Sequence, residues 1–417
     1  MSLHFGTLYW PETCAKPASY AALNEDVKTR VAIVGGGMSG VACGYELARS
    51  GMEAVLIEQG RIAGGSSAAN SGIVQFMSDR MLGDFIGTLG ERDAVTLYRA
   101  CLQAVERLLA ISERLPRGAQ ARRRCSLYYA STPEEAAPLR QEYELLRRHG
   151  FGADWWDASM IAERFPFRKD AAILTHGDAE FNPYLFVLAL AEEAVKLGLS
   201  VYEHTALKSV HHAPAGSGAR FVVETSGGTI EADHIVYAVG YTPEQAGGRW
   251  IRARTCRTYA IVTDPLASLT GWHERCLLWE TARPYLYART TPDNRLVVGG
   301  LDENLRLPVL TAKELRAHSL RLLSEMNKLF PQWKPEIRYE WCGSFCESAD
   351  GLPWIGEDPD RPGQHYLLGY GGNGAVYSML GANVIRDNLT GNDHPASTIV
   401  RPDRRVAIPG AGAASSV

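Results

Sequence analysis

The apolar positions of this chain change period from one segment to the next, and the changes mark out its elements. Val31-Ala32-Ile33-Val34 is a short unbroken apolar run, the pattern of a parallel strand covered on both faces. The stretch after it carries Val41, Tyr45 and Leu47-Ala48 at helical spacing and meets Gly51 near a C-cap position. AVLIE, ending at Glu58, is a second strand, so Thr29–Gly60 predicts a βαβ unit. Phe221–Pro243 predicts a hairpin turning at Gly227-Gly228, followed by the apolar strand HIVYAVG. Long amphipathic helices are predicted at Ala94–Leu115 and in PEEAAPLRQEYELLRRHG, and another at Asn182–Gly198, with Asn182 as cap and Pro183 at the first helical position. Between Arg249 and Leu301 the pattern turns to strands, including a hairpin that turns at TPDN. Thr311 then caps a last long helix. In PYLYART, alternation puts Tyr285, Tyr287 and Arg289 on one face and Leu286 and Ala288 on the other.

Composition narrows the function classes. The 417 residues suffice for two or three domain-sized units, or one large unit with interleaved parts. A net charge of −4 lacks the basic excess of a nucleic-acid binder, and the run Arg122 to Cys125 reads as a solvated or interface stretch. No apolar run approaches the roughly 20 residues that span a bilayer, and the start has no signal-peptide pattern. Eight scattered cysteines without a CxxC pair read as reduced thiols, which predicts a cytoplasmic protein. The histidines form no spaced ligand set, so no metal site is expected, and His211-His212 reads as surface. There are no repeats, and residues 401–417 read as a flexible tail.

The chemistry starts in the βαβ unit. Gly35, Gly37 and Gly40 match GxGxxG, with Met38 and Ser39 opening the helix. The first glycine permits the tight turn, the second lets backbone approach a pyrophosphate, and the third lets helix pack on strand. The helix N-terminus offers unpaired N–H groups and a positive dipole end. Glu58 stands 23 residues beyond Gly35, near the spacing of about 20 at which a carboxylate accepts from ribose hydroxyls. This unit alone leaves FAD and NAD both open. Arg61–Phe76 then supplies a second run of Gly, Ser and Asn, which suits a loop wrapping a longer cofactor such as FAD. Ala238 and Gly240, small residues at a strand end, would let backbone lie against a ligand.

The ordered set VAIVGGGMSG…LIE, GGSSAANSG, YAVGYTP, RTTPDNRLVVGG, DGLPWIG and GYGGNGAVYSML resembles the D-amino-acid oxidase-type FAD-dependent oxidoreductases. Within them it is most similar to the amine oxidoreductases of the gamma-glutamylputrescine oxidoreductase kind, over nearly the whole chain to Gly391. The resemblance implies a mixed α/β fold. A discontinuous Rossmann-like FAD domain would take 27–80, 183–245 and 340–395, and a substrate domain on an antiparallel sheet would take 81–182 and 246–339. It implies that Gly35, Gly37, Gly40, Glu58, Gln59 and Arg61 serve the ADP half of a non-covalent FAD. Gly65, Ser66, Ser67 and Asn70 would follow the pyrophosphate and ribityl chain. Leu207 would face adenine, and Ala238 and Gly240 would flank the cofactor. Gly371, Gly372, Asn373 and Gly374 would run beneath the flavin pyrimidine and aim backbone N–H groups at flavin O2. One departure stands out: Ala69-Asn70-Ser71-Gly72 replaces the subgroup's usual Arg-Asn-Gly-Gly.

The reaction implied is oxidation of the C–H bond beside an amine nitrogen, by hydride transfer to flavin N5 and hydrolysis of the imine. The Tyr285, Tyr287 and Arg289 face either clamps and walls a substrate, Arg289 taking a carboxylate, or is an ordinary solvated sheet face. Tyr259 is a further candidate to face the flavin, and Arg257 and Arg283 are reserve anion binders. Glu280 and His273 carry no persuasive signature of a general base, and Cys342 and Cys346 none of a flavin link. Oxygen or another carrier accepts the electrons, and the small-molecule substrate stays unspecified. Two other readings remain: a 2-hydroxy-acid or polyol dehydrogenase on the same fold, and a non-catalytic flavin-binding subunit.

Overall fold

The computed structural model describes residues 3–115, 118–242, 246–303 and 311–404, so residues 405–417 of the expected tail lie outside the described residues. The chain builds two large sheets. The first, of eight strands, has Thr229–Tyr237, Val27–Val34, Ala54–Ile57 and Ser200–Tyr202 side by side and parallel. Gln364–Leu368 continues it in parallel beyond Thr229–Tyr237, and Trp354–Glu357 closes that edge antiparallel. Period-2 alternation explains its two cores. Val31, Ile33, Ala54 and Leu56 point to one side, while Ala32, Val34, Val55 and Ile57 point to the other. On the first side the helix Met38–Arg49 lies against the helices Pro183–Lys196 and Gly374–Thr390. The other side is covered by the antiparallel strands Leu207–His212 and Phe221–Thr225.

The second sheet has ten strands and is antiparallel except where Leu277–Glu280 runs alongside Arg122–Tyr129. Its middle is Ile337–Glu347, Arg254–Thr263, Leu296–Glu303 and Leu286–Thr290. The helix Ala312–Leu329 covers one face. Both Ile73–Val74 and Ile337–Glu347 pair in this sheet, so the sheets exchange strands inside the segments expected for the FAD domain.

Local signals act where they stand. Asn182 Oδ1 accepts from Leu185 N at 3.1 Å, capping its helix. Thr311 and Glu314 form a reciprocal capping box. Asn294 takes a positive φ of 63° in the TPDN turn, and its N–H donates to the Thr291 carbonyl. In the basic run, Arg123 pairs with Glu106 and Arg124 with the buried Glu180, while His211 and His212 are exposed. Among the described residues no helix is long and apolar enough to cross a membrane. No group of three or more His, Cys, Asp or Glu among them could hold a metal ion.

Candidate active site

Val34, Ile57 and Tyr237 lie in register at the carboxyl ends of three neighbouring parallel strands, where a doubly wound sheet leaves its crevice. Gly35 turns the chain there at φ 113°, and a Cβ on it would stand 2.4 Å from the Ala238 carbonyl oxygen. A Cβ on Gly40 would meet the Gly35 carbonyl oxygen at 1.9 Å, so helix and turn touch backbone to backbone. The helix opens at Gly37 with no side-chain cap of its own; Met38 N donates to Ser67 Oγ at 2.9 Å instead. Glu58 spans the turn: its carboxylate accepts from Gly36 N at 2.7 Å and Gly60 N at 2.8 Å.

A cavity of about 420 Å³ lies over this turn. Glu58, Gln59 and Leu207 line it together with Gly35, Gly37, Met38 and Ser39. Gly65, Ser66, Ser67 and Asn70 add the wrapping loop, and Ala238, Gly240 and Gly374 complete the set. Gly40 sits behind the turn, and Arg61 is an exposed surface residue outside the lining. Sequence reasoning missed Tyr241 and Ser378, which also line it. Ser378 lies one turn beyond Gly374 on the same helix, and its Oγ stands 2.9 Å from Ser39 Oγ, which joins the two helix starts.

A second cavity, about 120 Å³, shares Ser66, Asn70 and Tyr241 with the first. Gly371, Gly372 and Asn373 line this one and Gly374 the other, so the glycine turn forms their common wall. Tyr241 OH donates to the Gly371 carbonyl at 2.9 Å. The helix Gly374–Thr390 starts here with no side-chain cap, leaving its first N–H groups for a ligand. Two indoles hold the loop between the cavities: Trp10 Nε1 donates to the Asn70 carbonyl and Trp341 Nε1 to that of Ala69.

Tyr285 and Tyr287 line the second cavity, with Trp279, Asp79 and Asp302 as neighbours that sequence reasoning did not single out. Burial pushes both phenols upward, with the Asp79 and Asp302 charges adding to it. Asp302 is pushed up to about 7 by burial, with Asp79 and Glu347 adding repulsion and a Thr258 hydrogen bond opposing. Asp79 has accessible surface on the cavity yet is crowded by protein, and that desolvation raises it against the pull of Arg283. Its carboxylate is hydrogen-bonded to the Tyr285 hydroxyl and the Gly372 N–H.

Three expectations need correction. Arg289 shares the strand face of Tyr285 and Tyr287 but lies outside both cavities and is 1% exposed. Its guanidinium donates to the carbonyls of Ser71 (2.8 Å), Phe181 (2.8 Å) and Thr290 (3.3 Å), and Glu180 Oε2 lies 3.6 Å away. It is a brace for the loop, with no donor turned to a substrate carboxylate. Tyr259 faces the opposite side of the second sheet, stacked on His318 at 3.9 Å with its hydroxyl on Glu303; Thr258, one residue earlier, takes the cavity side. Arg257 is buried beside Tyr259. The other candidates are also structural. Glu280 accepts from Leu286 N and Ser131 Oγ, and His273 packs edge-on against Trp156. Arg283 donates to the carbonyls of Asp79, Glu280, Thr281 and Ala282. Cys342 is buried in the core under the helix Ala312–Leu329, and Cys346 Sγ meets the Tyr241 carbonyl; neither lines a cavity.

The first cavity fits an adenine dinucleotide. It offers glycine backbone that a Cβ would block, an uncapped helix N-terminus, a carboxylate at the ribose position and a buried Ser66 hydroxyl without a partner. Gamma-glutamylputrescine oxidoreductase of Escherichia coli (strain K12) is 26% identical over 398 residues, covering 92% of this chain and 89% of that protein. Glycine oxidase of Geobacillus kaustophilus (strain HTA426) is 26% identical over 371 residues, 86% of this chain and 92% of that protein. The crystal structure of glycine oxidase from Geobacillus kaustophilus shares the fold, with a TM-score of 0.77 at 23% identity over 91% of this chain and all of that one. The model of the DAO family, described as FAD dependent oxidoreductase, matches residues 30–387, and with this fold and cavity the chain belongs to that family of FAD-binding enzymes.

Proposed function

We propose that this enzyme oxidises the C–H bond beside the nitrogen of a small amine or amino acid, the electrons passing on to oxygen or another acceptor. The observation that carries the reading is the place of the glycine turn 371–374, between a dinucleotide cavity and a small aromatic cavity. Gly35, Gly37, Gly40 and Glu58 would hold the ADP half, and Ser66, Ser67 and Asn70 the middle of the cofactor. When bound, non-covalent FAD supplies flavin N5 as the hydride acceptor. The chain's own part is positioning and polarity. The uncapped start of Gly374–Thr390 aims positive dipole ends at the place where negative charge develops. Tyr285 and Tyr287 wall the cavity so that the reacting carbon is held near that place. Water then hydrolyses the imine. The related proteins named above act, by their names, on gamma-glutamylputrescine and on glycine, which supports an amine nitrogen as the common element.

The test is anaerobic mixing of the yellow holoprotein with separate amines, amino acids and hydroxy acids. Bleaching of the oxidised flavin band by a nitrogen-containing compound is the expected result. Bleaching by hydroxy acids alone, or by none, would overturn the reading.

A further inference from the structure

We infer that the second cavity takes a cationic amine that bears no carboxylate at its reacting end, with Asp302 Oδ1 as the partner of the ammonium group. The inference rests on the proposed amine chemistry and names the substrate class of that same site.

The lining decides the sign of charge the cavity prefers. Two carboxyl groups, Asp79 and Asp302, face it, and among the described residues that line it there is no Lys, Arg or His. The guanidinium of Arg283 lies outside the lining, exposed, stacked over Tyr285 at 4.9 Å and bonded to four carbonyls. Arg254 is paired with Glu347, and Arg289 is sealed behind the loop. A carboxylate brought in would therefore meet two acidic groups and no cation of the described lining.

The two acids are not equivalent. Asp79 already accepts from Tyr285 and from Gly372 N–H. Asp302 accepts from Thr258, and its Oδ1 is buried with no hydrogen-bond partner. A buried acceptor of this kind is costly until a donor arrives. Trp279 adds an aromatic wall: it is 5% exposed, and its ring lies in a stack with Tyr128 at 3.7 Å. With Tyr285 and Tyr287, whose centroids are 5.9 Å apart, it gives an electron-rich surround that attracts ammonium ions through the ring faces. An ammonium ion supplies N–H donors for Asp302 Oδ1 and a positive charge between the two acids.

A matched pair of probes of opposite charge tests this without turnover. tert-Butylammonium and pivalate share the tert-butyl body and carry opposite charge, and neither has a hydrogen on the carbon beside its head group. Each is titrated into the holoprotein, with calorimetry and the flavin absorbance as readouts. The expected result is saturable binding of tert-butylammonium, at least tenfold tighter than pivalate, and at least tenfold weaker in Asp302→Asn. Pivalate binding as tightly as the cation, or neither probe binding, would overturn the inference with the wild-type protein alone. An Asp302→Asn protein that holds its flavin and keeps its affinity for the cation within twofold would overturn the role of Asp302. The two readings fail separately. Cation binding without bleaching by any amine removes the proposed reaction and leaves the cation site. Bleaching by amino acids, with pivalate preferred, removes the cation site and leaves the reaction.

Discussion

Arg289 Nε donates to the Ser71 carbonyl at 2.8 Å and so fastens a strand of the second sheet to the loop that wraps the dinucleotide cavity. The neighbouring Gly72, at φ 74°, has no room for a side chain: a Cβ would stand 2.4 Å from both Arg289 Nη2 and the Phe181 carbonyl oxygen. Arginine and glycine fit as one unit. Ser71 stands in the loop 69–72, and this guanidinium holds it from behind.

Removing that brace costs stability first. Arg289→Ala leaves Glu180 buried and three carbonyls without their donor. We expect a loss of about 3 kcal/mol, with Arg124 keeping part of the Glu180 pairing. Arg289→Lys does not restore it, because an ammonium lacks the planar fork that reaches several acceptors at once. Urea unfolding followed by fluorescence checks both variants. An unchanged midpoint for Arg289→Ala would contradict the bracing role.

Gly40 marks the tightest contact of the cofactor turn. Gly40→Ala puts a methyl 1.9 Å from the Gly35 carbonyl oxygen, a backbone atom with nowhere to go, so the helix start must shift away from the pyrophosphate position. FAD affinity should fall about tenfold or more, roughly 1.4 kcal/mol, as read by the flavin retained after gel filtration. Gly87→Ala is the control: its Cβ meets nothing within 4 Å, and it should keep its flavin.

How far the sequence speaks for itself follows from the range of each signal. The Asn182 and Thr311 caps and the TPDN turn act within a few residues of their place, and the glycine spacing and Glu58 act within the one βαβ unit. Alternation along Leu286–Thr290 separates Leu286 and Ala288 from Tyr285 and Tyr287, as expected. It places Arg289 on the tyrosine face too, and the error began there. A face is a line of positions, and the backbone at Ser71 and at Phe181 lies over the Arg289 end of that line. Tyr259 shows the same limit, since period 2 does not say which of two faces looks at a ligand. Asp79, Trp279 and Asp302 come from three distant segments, and only the folded sheet brings them to one cavity.

Asp302 should also appear in the pH dependence of stability. Its folded value, about 7, lies above the roughly 3.9 of an unfolded aspartate. The folded state therefore holds its proton where the unfolded state has released it. That contribution is full below about pH 4 and is lost as pH rises through about 7. Asp302→Asn lacks the loss, so its stability relative to the parent should rise between about pH 5 and pH 8, by about 2 kcal/mol. Paired Tm measurements on the ligand-free proteins check this. Parallel Tm curves for the two proteins across that range would refute the shift.

The account stands on transfer of a hydrogen from the carbon beside nitrogen to a flavin seated at the 371–374 turn. Anaerobic stopped-flow reduction of the holoprotein by a bleaching amine, compared with the same amine deuterated at that carbon, measures it most directly. The account predicts complete bleaching with a primary isotope effect on its rate. Amine bleaching that is blind to deuterium at every concentration, or reduction by hydroxy acids in place of amines, would contradict it.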